Sequence, residues 1–554
     1  MPLQTKFGSP YPGGRNDSLD SVLIVEPTLG FDSSHPSVNI QPGGTPFSQN
    51  FVIRDGAIEP RPMLVAQSSN QQPVDRVLGG FEIVNVTGTR YPFVTGSTQP
   101  AFYAAGTWSA LSYVSAYGID NKPAGSNLQY YDVTQIYDAN ANEMLAVFGN
   151  DSYQTLYCWQ AGATTFSSLT GAPKARRVTS FENYLVAFNV QEPTGTFVQR
   201  VKWNDRGSNS SWTGGLSGFA DLLDMRGSGT RIMAQENSMV LFSEYETWEG
   251  TPVAFPFIFD FHPRDRSVGC PYAWTAAATP QGIMFLGKDY NVYLISKWGG
   301  PARSVGDTVQ KYIRDNIDQP TRAWATYDNS YHQYQLYFAS KGGSGFPREA
   351  LFLNLGAVQY SPLITQVGQG AWAYQSFAPI DRSVALTRGF EAQLSSSATS
   401  WGGLTAQNVT WSQLNLSWAD LSGAGEVRAT FAGSSNGTMF RLDSAATADL
   451  GLSTECVWES SALFGFQPNR QKTMDRIRID YQAPSASTIT LSASRNQGAS
   501  FDPGFTLVLP ANSAMSEAVA HFYAAARYPM FKISSDGERY RFFRAWLKVH
   551  AGGR

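Results

Sequence analysis

The stretch "GIMFLGKDYNVYLIS", residues 282–296, is two short apolar runs separated by Gly287-Lys288-Asp289-Tyr290-Asn291. Ile, Met, Phe, Leu, Val and Tyr in runs this short, broken by Gly, Asp and Asn, are the chemistry of adjacent strands joined by a turn. The same pattern recurs on both sides, in "MLAVFGN" (144–150), "YLVAFNV" (184–190), "SMVLFSEYETWEG" (238–250) and "YHQYQLYFAS" (331–340). Helical periodicity is scarce, and "SVGDTVQKYIRDNID" (304–318) is the best helix candidate. The chain is therefore predicted to be all-β.

The strands also come in groups. Turns carrying Asn or Asp fall at Glu182-Asn183-Tyr184, Glu236-Asn237-Ser238, Asp289-Tyr290-Asn291 and Asp328-Asn329-Ser330. Intervals of about 40 to 55 residues suit a four-stranded blade. One blade cannot bury both of its faces alone, so several must pack around an axis. The sequence thus predicts a β-propeller of six or seven blades over 51–390, with a tandem of β-sandwiches as the competing arrangement. Residues 1–50, rich in Gly, Pro, Ser and Asn, read as an extended N-terminal arm. Residues 391–455 read as a Trp-rich connector ending in a hairpin about Asn436-Gly437. Residues 456–554 read as a smaller C-terminal β-sandwich, on the alternation in "MDRIRIDYQAP", "STITLSASRNQG" and "RFFRAWLKVH".

At 554 residues the chain has room for two to four domains. Aromatic residues make up 13% and charged residues only 15%, which favours buried or subunit-facing surface over disorder. The formal net charge of −3 is unevenly spread. Arg470–Arg554 holds 12 Lys/Arg against 6 Asp/Glu, a net +6, and the remainder holds 29 against 38, a net −9. That split predicts one charged docking face, toward an acidic partner or DNA, or else a solvated strand face. Cys158, Cys270 and Cys456 lie too far apart for a Cys-x-x-Cys motif, and their odd number argues against a disulfide framework. No apolar leader or 18-residue apolar span is visible, so folding in a reducing cytoplasm without a membrane anchor is expected.

No catalytic or metal constellation survives its context. Gly433-Ser434-Ser435-Asn436-Gly437 spells a nucleophile elbow, but it joins two strands rather than a strand to a helix. Gly282 to Lys288 begins like a phosphate-cradling loop, yet its interior is apolar strand and Asp289 replaces the metal-binding hydroxyl. Asp138-Ala139-Asn140-Ala141-Asn142 opens like a calcium loop, with Glu143 where glycine is needed and Gly149 where glutamate is needed. The histidines (His35, His262, His332, His521, His550) do not fall at metal-ligand spacing. Period-two placement puts Glu244 and Glu246 on one strand face and Asp260 and His262 on another, the one arrangement that could serve a propeller glycosidase. It reads as a solvated face. The chain is accordingly read as non-enzymatic, with no catalytic residue, no cofactor and no metal.

A [Ser/Thr]-Trp-x-x-Leu element repeats at Ser400-Trp401, Thr410-Trp411 and Ser417-Trp418, with upstream versions at Thr107-Trp108 to Leu111 and Ser211-Trp212 to Leu216. A Trp and a Leu at this spacing could fold to one side of a turn and pin a strand end, each pair stabilising by a few kcal/mol at roughly 25 cal/mol per Å². The alternative, a sugar-binding aromatic platform, needs exposed co-facing rings. The clasp is the expectation.

Several of these stretches resemble tail nozzle or tail hub proteins of short-tailed bacteriophages, a group that includes the packaged-DNA stabilisation proteins. The likeness lies in "PGGTPFSQNFVIRDGAIEPRPM" (42–63), with its Asn-Phe, Asp-Gly and Arg-Pro, and in "GTRIMAQENSMVLFSEYETWEG" (229–250). It continues in "SVGCPYAWTAAATPQGIMFLGKDYNVYLIS" (267–296) and in the closing "MDRIRIDYQAP…RYRFFRAWLKVH". The resemblance implies a structural virion protein of the tail, assembled in the host cytoplasm as a subunit of a homohexameric ring. Such a ring would meet the head–tail adaptor and the tail fibres or needle, retain packaged DNA, and conduct it with transient, non-specific contact during ejection. It implies no catalytic residue. Removal of residues 1–40 is expected to weaken assembly while leaving the fold intact. A glycan-binding or glycan-hydrolysing propeller is the alternative, and it predicts an exposed, carboxylate-lined pocket with aromatic walls.

Overall fold

A computed structural model describes residues 20–66, 74–104, 107–114, 129–255, 257–343, 345–355, 372–377, 386–395, 426–463 and 471–551. The fold is all-β, a propeller joined to a sandwich. Among the described residues, six sheets of four or five strands stand alone around a ring, and a seventh position is filled by four strands of a larger sheet. In chain order the blades begin at Gly79–Val84, Tyr131–Asp138, Lys174–Phe181, Gly229–Ala234, Ala277–Thr279, Trp324–Asp328 and Leu386–Ser395. These first strands are the inner ones, each packed against its neighbour in the ring; the short turn Ala273–Thr275 intervenes between blades 4 and 5.

Strand alternation explains the packing. In Tyr184–Glu192 of blade 3, Val186 and Phe188 join a core with Met239 and Leu241 of blade 4. The intervening Leu185 and Ala187 join Leu145 and Val147 of blade 2. Blade 4 repeats the arrangement: Val240 and Phe242 turn toward Ile283 and Phe285 of blade 5. Both faces of these second strands are thus buried, which is why they read as continuous apolar runs.

The ring is closed by strands distant in sequence. Blade 7 consists of Leu386–Ser395, Glu426–Ser434 and Met439–Asp443, completed by Met63–Ala66 from near the chain start. The propeller therefore reaches Asp443, not residue 390. The hairpin placed in a connector at 391–455 is instead blade 7, turning at Gly437 with φ 83°. Three of the four Asn/Asp turns join the first and second strands of blades 3, 4 and 6; the Asp289 turn joins the second and third strands of blade 5. The helix candidate is realised as Gln310–Asn316 alone, with Ile313 buried.

The sandwich pairs Asn512–Ala526, Lys472–Ala483, Arg541–Ala551, Ala57–Pro60 and Phe51–Arg54 in one sheet, with Asp20–Val25 alongside Arg541–Ala551. Its second sheet contains Cys456–Glu459, Met530–Ser535, Ser487–Ser494 and Phe505–Leu509, and runs into blade 6 through Ser48–Gln49. Phe51, Ile53, Trp458, Ile477, Phe531 and Leu547 share the core between the sheets. The described part of the predicted arm is consequently a packed element. Leu23 and Val25 enter the sandwich core, and Phe31 packs with the helix and blade 6. Extended backbone with Gly and Pro here means strand pairing across two bodies, because the unsatisfied N–H and C=O groups of a lone strand need partners.

Part of the positive charge of the C-terminal segment is engaged inside the molecule. Arg539 donates to the carbonyls of Pro60, Arg61, Asp443 and Ala446. Arg541 pairs with Asp55 and Glu59, and Arg478 and Arg544 flank Asp480. The charged docking face foreseen from composition is in this part intramolecular.

Candidate functional site

Two places on the propeller collect polar side chains that the fold alone does not require. The first is a cleft of about 470 Å³ between blades 4 and 5, lined by Arg226, Glu244, Tyr245, Arg266, Lys288, Asp289 and Tyr293. Its floor is a tight turn between Met239–Ser243 and Thr247–Pro252, in which Ser243 Oγ accepts the N–H groups of Tyr245 and Glu246 at 3.2 and 3.0 Å. Gly269 presses on this turn, and a Cβ there would stand 2.5 Å from the Tyr245 nitrogen.

The turn sends its two glutamates to different fates. Glu246 is buried; it is paired with Arg226, accepts from Trp248 Nε1 at 3.0 Å, and lies 3.9 Å from Arg266. Burial pushes its pKa up, but the bonds from Trp248 and Arg226 outweigh burial and leave it below the ordinary range. Glu244 lines the cleft. Lys288 lies over the face of Tyr245 at 4.4 Å, and Tyr293 donates to Asp289 at 2.8 Å. Burial first, then that bond, raises the Tyr293 phenol well above its usual pKa. The arrangement offers cations, the carboxylates of Glu244 and Asp289, the latter accepting from Tyr293, and an aromatic edge, and it can bind a polar ligand.

The structure thus separates the four residues weighed for glycosidase chemistry. Glu244 and Glu246 lie in a turn rather than on one strand face, and Asp260 and His262 lie on the outer strand Phe259–Asp265, outside the cleft lining. The Gly433–Gly437 elbow is a hairpin turn in which Ser434 Oγ accepts the Thr438 N–H at 2.9 Å. The calcium-like loop is an Asx turn, Asp138 Oδ1 accepting the Asn140 N–H at 3.0 Å.

The second place is the propeller axis at the end where the inner strands begin. Trp274 is buried there, with Arg177 of blade 3, Arg231 of blade 4 and Arg388 of blade 7 at 4.6, 5.1 and 4.5 Å from its ring. Tyr130, leading into blade 2, meets it edge-on at 5.5 Å. Groups from four blades therefore meet on one indole and close this end of the axis. Arg231 pairs with Asp132, and Arg177 shares Asp151 with Arg176. Sequence reasoning passed over this cluster. Its signal was an arginine third or fourth in three of the inner strands, visible only once the strands are aligned by blade.

The two described Trp-Leu elements do not act as clasps. Trp108 packs in the core between blades 1 and 7 while Leu111 joins that of blades 1 and 2. Trp212 and Leu216 likewise enter separate cores. Each residue pins a different blade interface, since neighbouring strands alternate their faces. The copies at 399–423 lie outside the described residues.

No family model matches the chain, and no curated protein matches it. Among solved structures it is similar to an exo-β-1,3-galactanase of Phanerochaete chrysosporium at 9% identity, covering 85% of this chain and 100% of that one with a TM-score of 0.26. It is also similar to BamB from Moraxella catarrhalis at 11% identity, over 70% and 97% of the two chains, with a TM-score of 0.29. PorZ, a surface component of the type-IX secretion system of Porphyromonas gingivalis, gives 9% identity and 0.35 over 83% and 46%. Likeness at this level carries no argument about chemistry.

Proposed function

We propose that this protein is a structural scaffold subunit that assembles into a ring, as in the tail nozzle of a short-tailed phage. The observation that supports this most is the place of residues 42–63, the stretch that carries the resemblance. It joins propeller to sandwich through Ser48–Gln49, Phe51–Pro60 and the buried Arg61. Large apolar side chains stand out from both bodies: Phe255 and Phe257 at 75% exposure, Trp298 at 77% and Tyr523 at 67%. Exposed side chains of that kind are available for contact with neighbouring subunits. Because Trp274 and its arginines close the propeller axis, a DNA conduit in this reading runs between subunits and not through the propeller. Imaging the purified chain by negative stain, alone and with candidate adaptor rings, is the test. Sixfold rings with a central hole are expected; a chain that never joins a ring overturns the proposal.

A second reading, binding or hydrolysis of a glycan, is favoured by the cleft, whose carboxylates and tyrosines match the pocket that reading requires. It expects an acidic oligosaccharide to bind and Tyr245→Ala to abolish binding. Hydrolysis is disfavoured by the capture of Glu246 in ion pairs. Release of reducing sugar by the wild type, lost in Glu244→Gln, would reverse that judgement.

A further inference from the structure

The arginines at the axis outnumber the carboxylates that meet them among the described residues. Arg176 and Arg177 share Asp151, Arg231 holds Asp132, and Arg388 has no carboxylate among the described residues. Arg388 donates Nη1 to the Trp274 carbonyl at 3.3 Å, while its Nε, like that of Arg231, is buried without a hydrogen-bond partner among the described residues. Only 9% of Arg388 is exposed. Buried charges are ordinarily paired, because an unpaired one forfeits its hydration. Burial, followed by repulsion from Arg388, lowers the pKa of Arg231 to about 9; burial, opposed by Tyr130 and reinforced by Arg177, lowers Arg388 to about 10. The ring of blades therefore holds a surplus of desolvated positive charge against one indole.

We propose that this cluster is a binding site for a small oxyanion, held by Arg231 and Arg388 beside Trp274. Guanidinium groups suit the geometry of phosphate and sulfate oxygens, and charge-assisted bonds are the strong ones. Burial restricts the site to a small anion, not the backbone of a polymer. The inference is independent of the ring and glycan readings.

The test is thermal unfolding of the full chain in inorganic phosphate and in chloride at matched ionic strength, with equilibrium dialysis of radiolabelled phosphate. Expected is a melting temperature that rises with phosphate and saturates, with one phosphate bound per chain. Arg388→Met should bind phosphate at least ~10-fold more weakly, in line with a lost charge-assisted contact. In chloride the same variant should melt no lower than wild type, since it removes an uncompensated charge. Should that variant fold poorly, Arg231→Lys serves, with weakened binding expected. Equal melting in the two salts together with no retained phosphate in the wild type overturns the proposal, as does unchanged phosphate affinity in folded Arg388→Met.

Discussion

Arg61 and Asp449 form an ion pair with neither side chain exposed, and it is the point where the two bodies of the protein meet. Arg61 also donates to Asn50 Oδ1 at 3.2 Å, to the Pro62 carbonyl at 2.9 Å and to the Ser376 carbonyl at 3.1 Å, and lies 4.2 Å over Phe377. Asp449 accepts the Leu64 N–H at 2.7 Å, and Asn50 binds Ser376 N–H and the Glu455 carbonyl. The outer strands of blades 6 and 7, the chain start and the link into the sandwich are thereby held by one satisfied network. Such networks specify a unique arrangement when every member has its partner.

Asp449→Ala should therefore cost about 3–5 kcal/mol, the range for stranding a buried charge. Arg61→Met with Asp449→Leu should recover part of that loss. Chemical denaturation of the single and double variants measures both, and additive losses would show that the pair is not coupled.

Deleting residues 1–40 should unfold or strongly destabilise the sandwich, contrary to the expectation drawn from composition, because Leu23 and Val25 are core residues. Leu23→Ala alone should cost about 2–5 kcal/mol. A deleted chain with unaltered melting would contradict the observed strand pairing.

The Asp55-Gly56 turn takes both residues through positive φ, 48° and 74°. A Cβ on Gly56 meets nothing within 4 Å. Gly56→Ala should thus lose about 1–2 kcal/mol from backbone conformation alone, readable as a shifted denaturation midpoint with an unchanged slope.

Burial raises the Glu459 carboxyl from 4.5 to about 7, with Lys532 opposing that rise. The folded state then holds a proton that the unfolded chain has released, so this residue's contribution falls as pH climbs from about 4.5 to about 7 and is level above. Glu459→Gln should flatten that part of the melting-temperature profile. A parallel profile for the two proteins would rule the assignment out.

Strand identity was legible because both faces of most blades are buried: "YLVAFNV" and "GIMFLG" can hide every second residue on either side and leave no polar face to suggest a helix. The turns were legible for the same local reason, Asn183 and Gly437 adopting the positive φ their residue types tolerate. Element type and blade spacing are set by neighbours in sequence. Boundaries were less legible. Met63–Ala66 completes a blade whose other strands begin more than three hundred residues later, and nothing within 63–66 encodes that partner.

The candidate sites were less legible still. Glu244 was noticed, but its cleft also needs Arg226, Arg266 and Lys288 from three other segments. The Trp-Leu repeat misled because spacing along the chain says nothing about which blade lies on each side of the strand. By itself the amino-acid sequence determined what alternation and turn chemistry can determine: an all-β chain, its repeating blades and its terminal sandwich. Only the tertiary structure decided the closure of the ring, the weld at Arg61 and Asp449, and the arginines gathered on Trp274. Those depend on strands far apart in the chain being brought side by side, and that is decided by the packing of whole sheets.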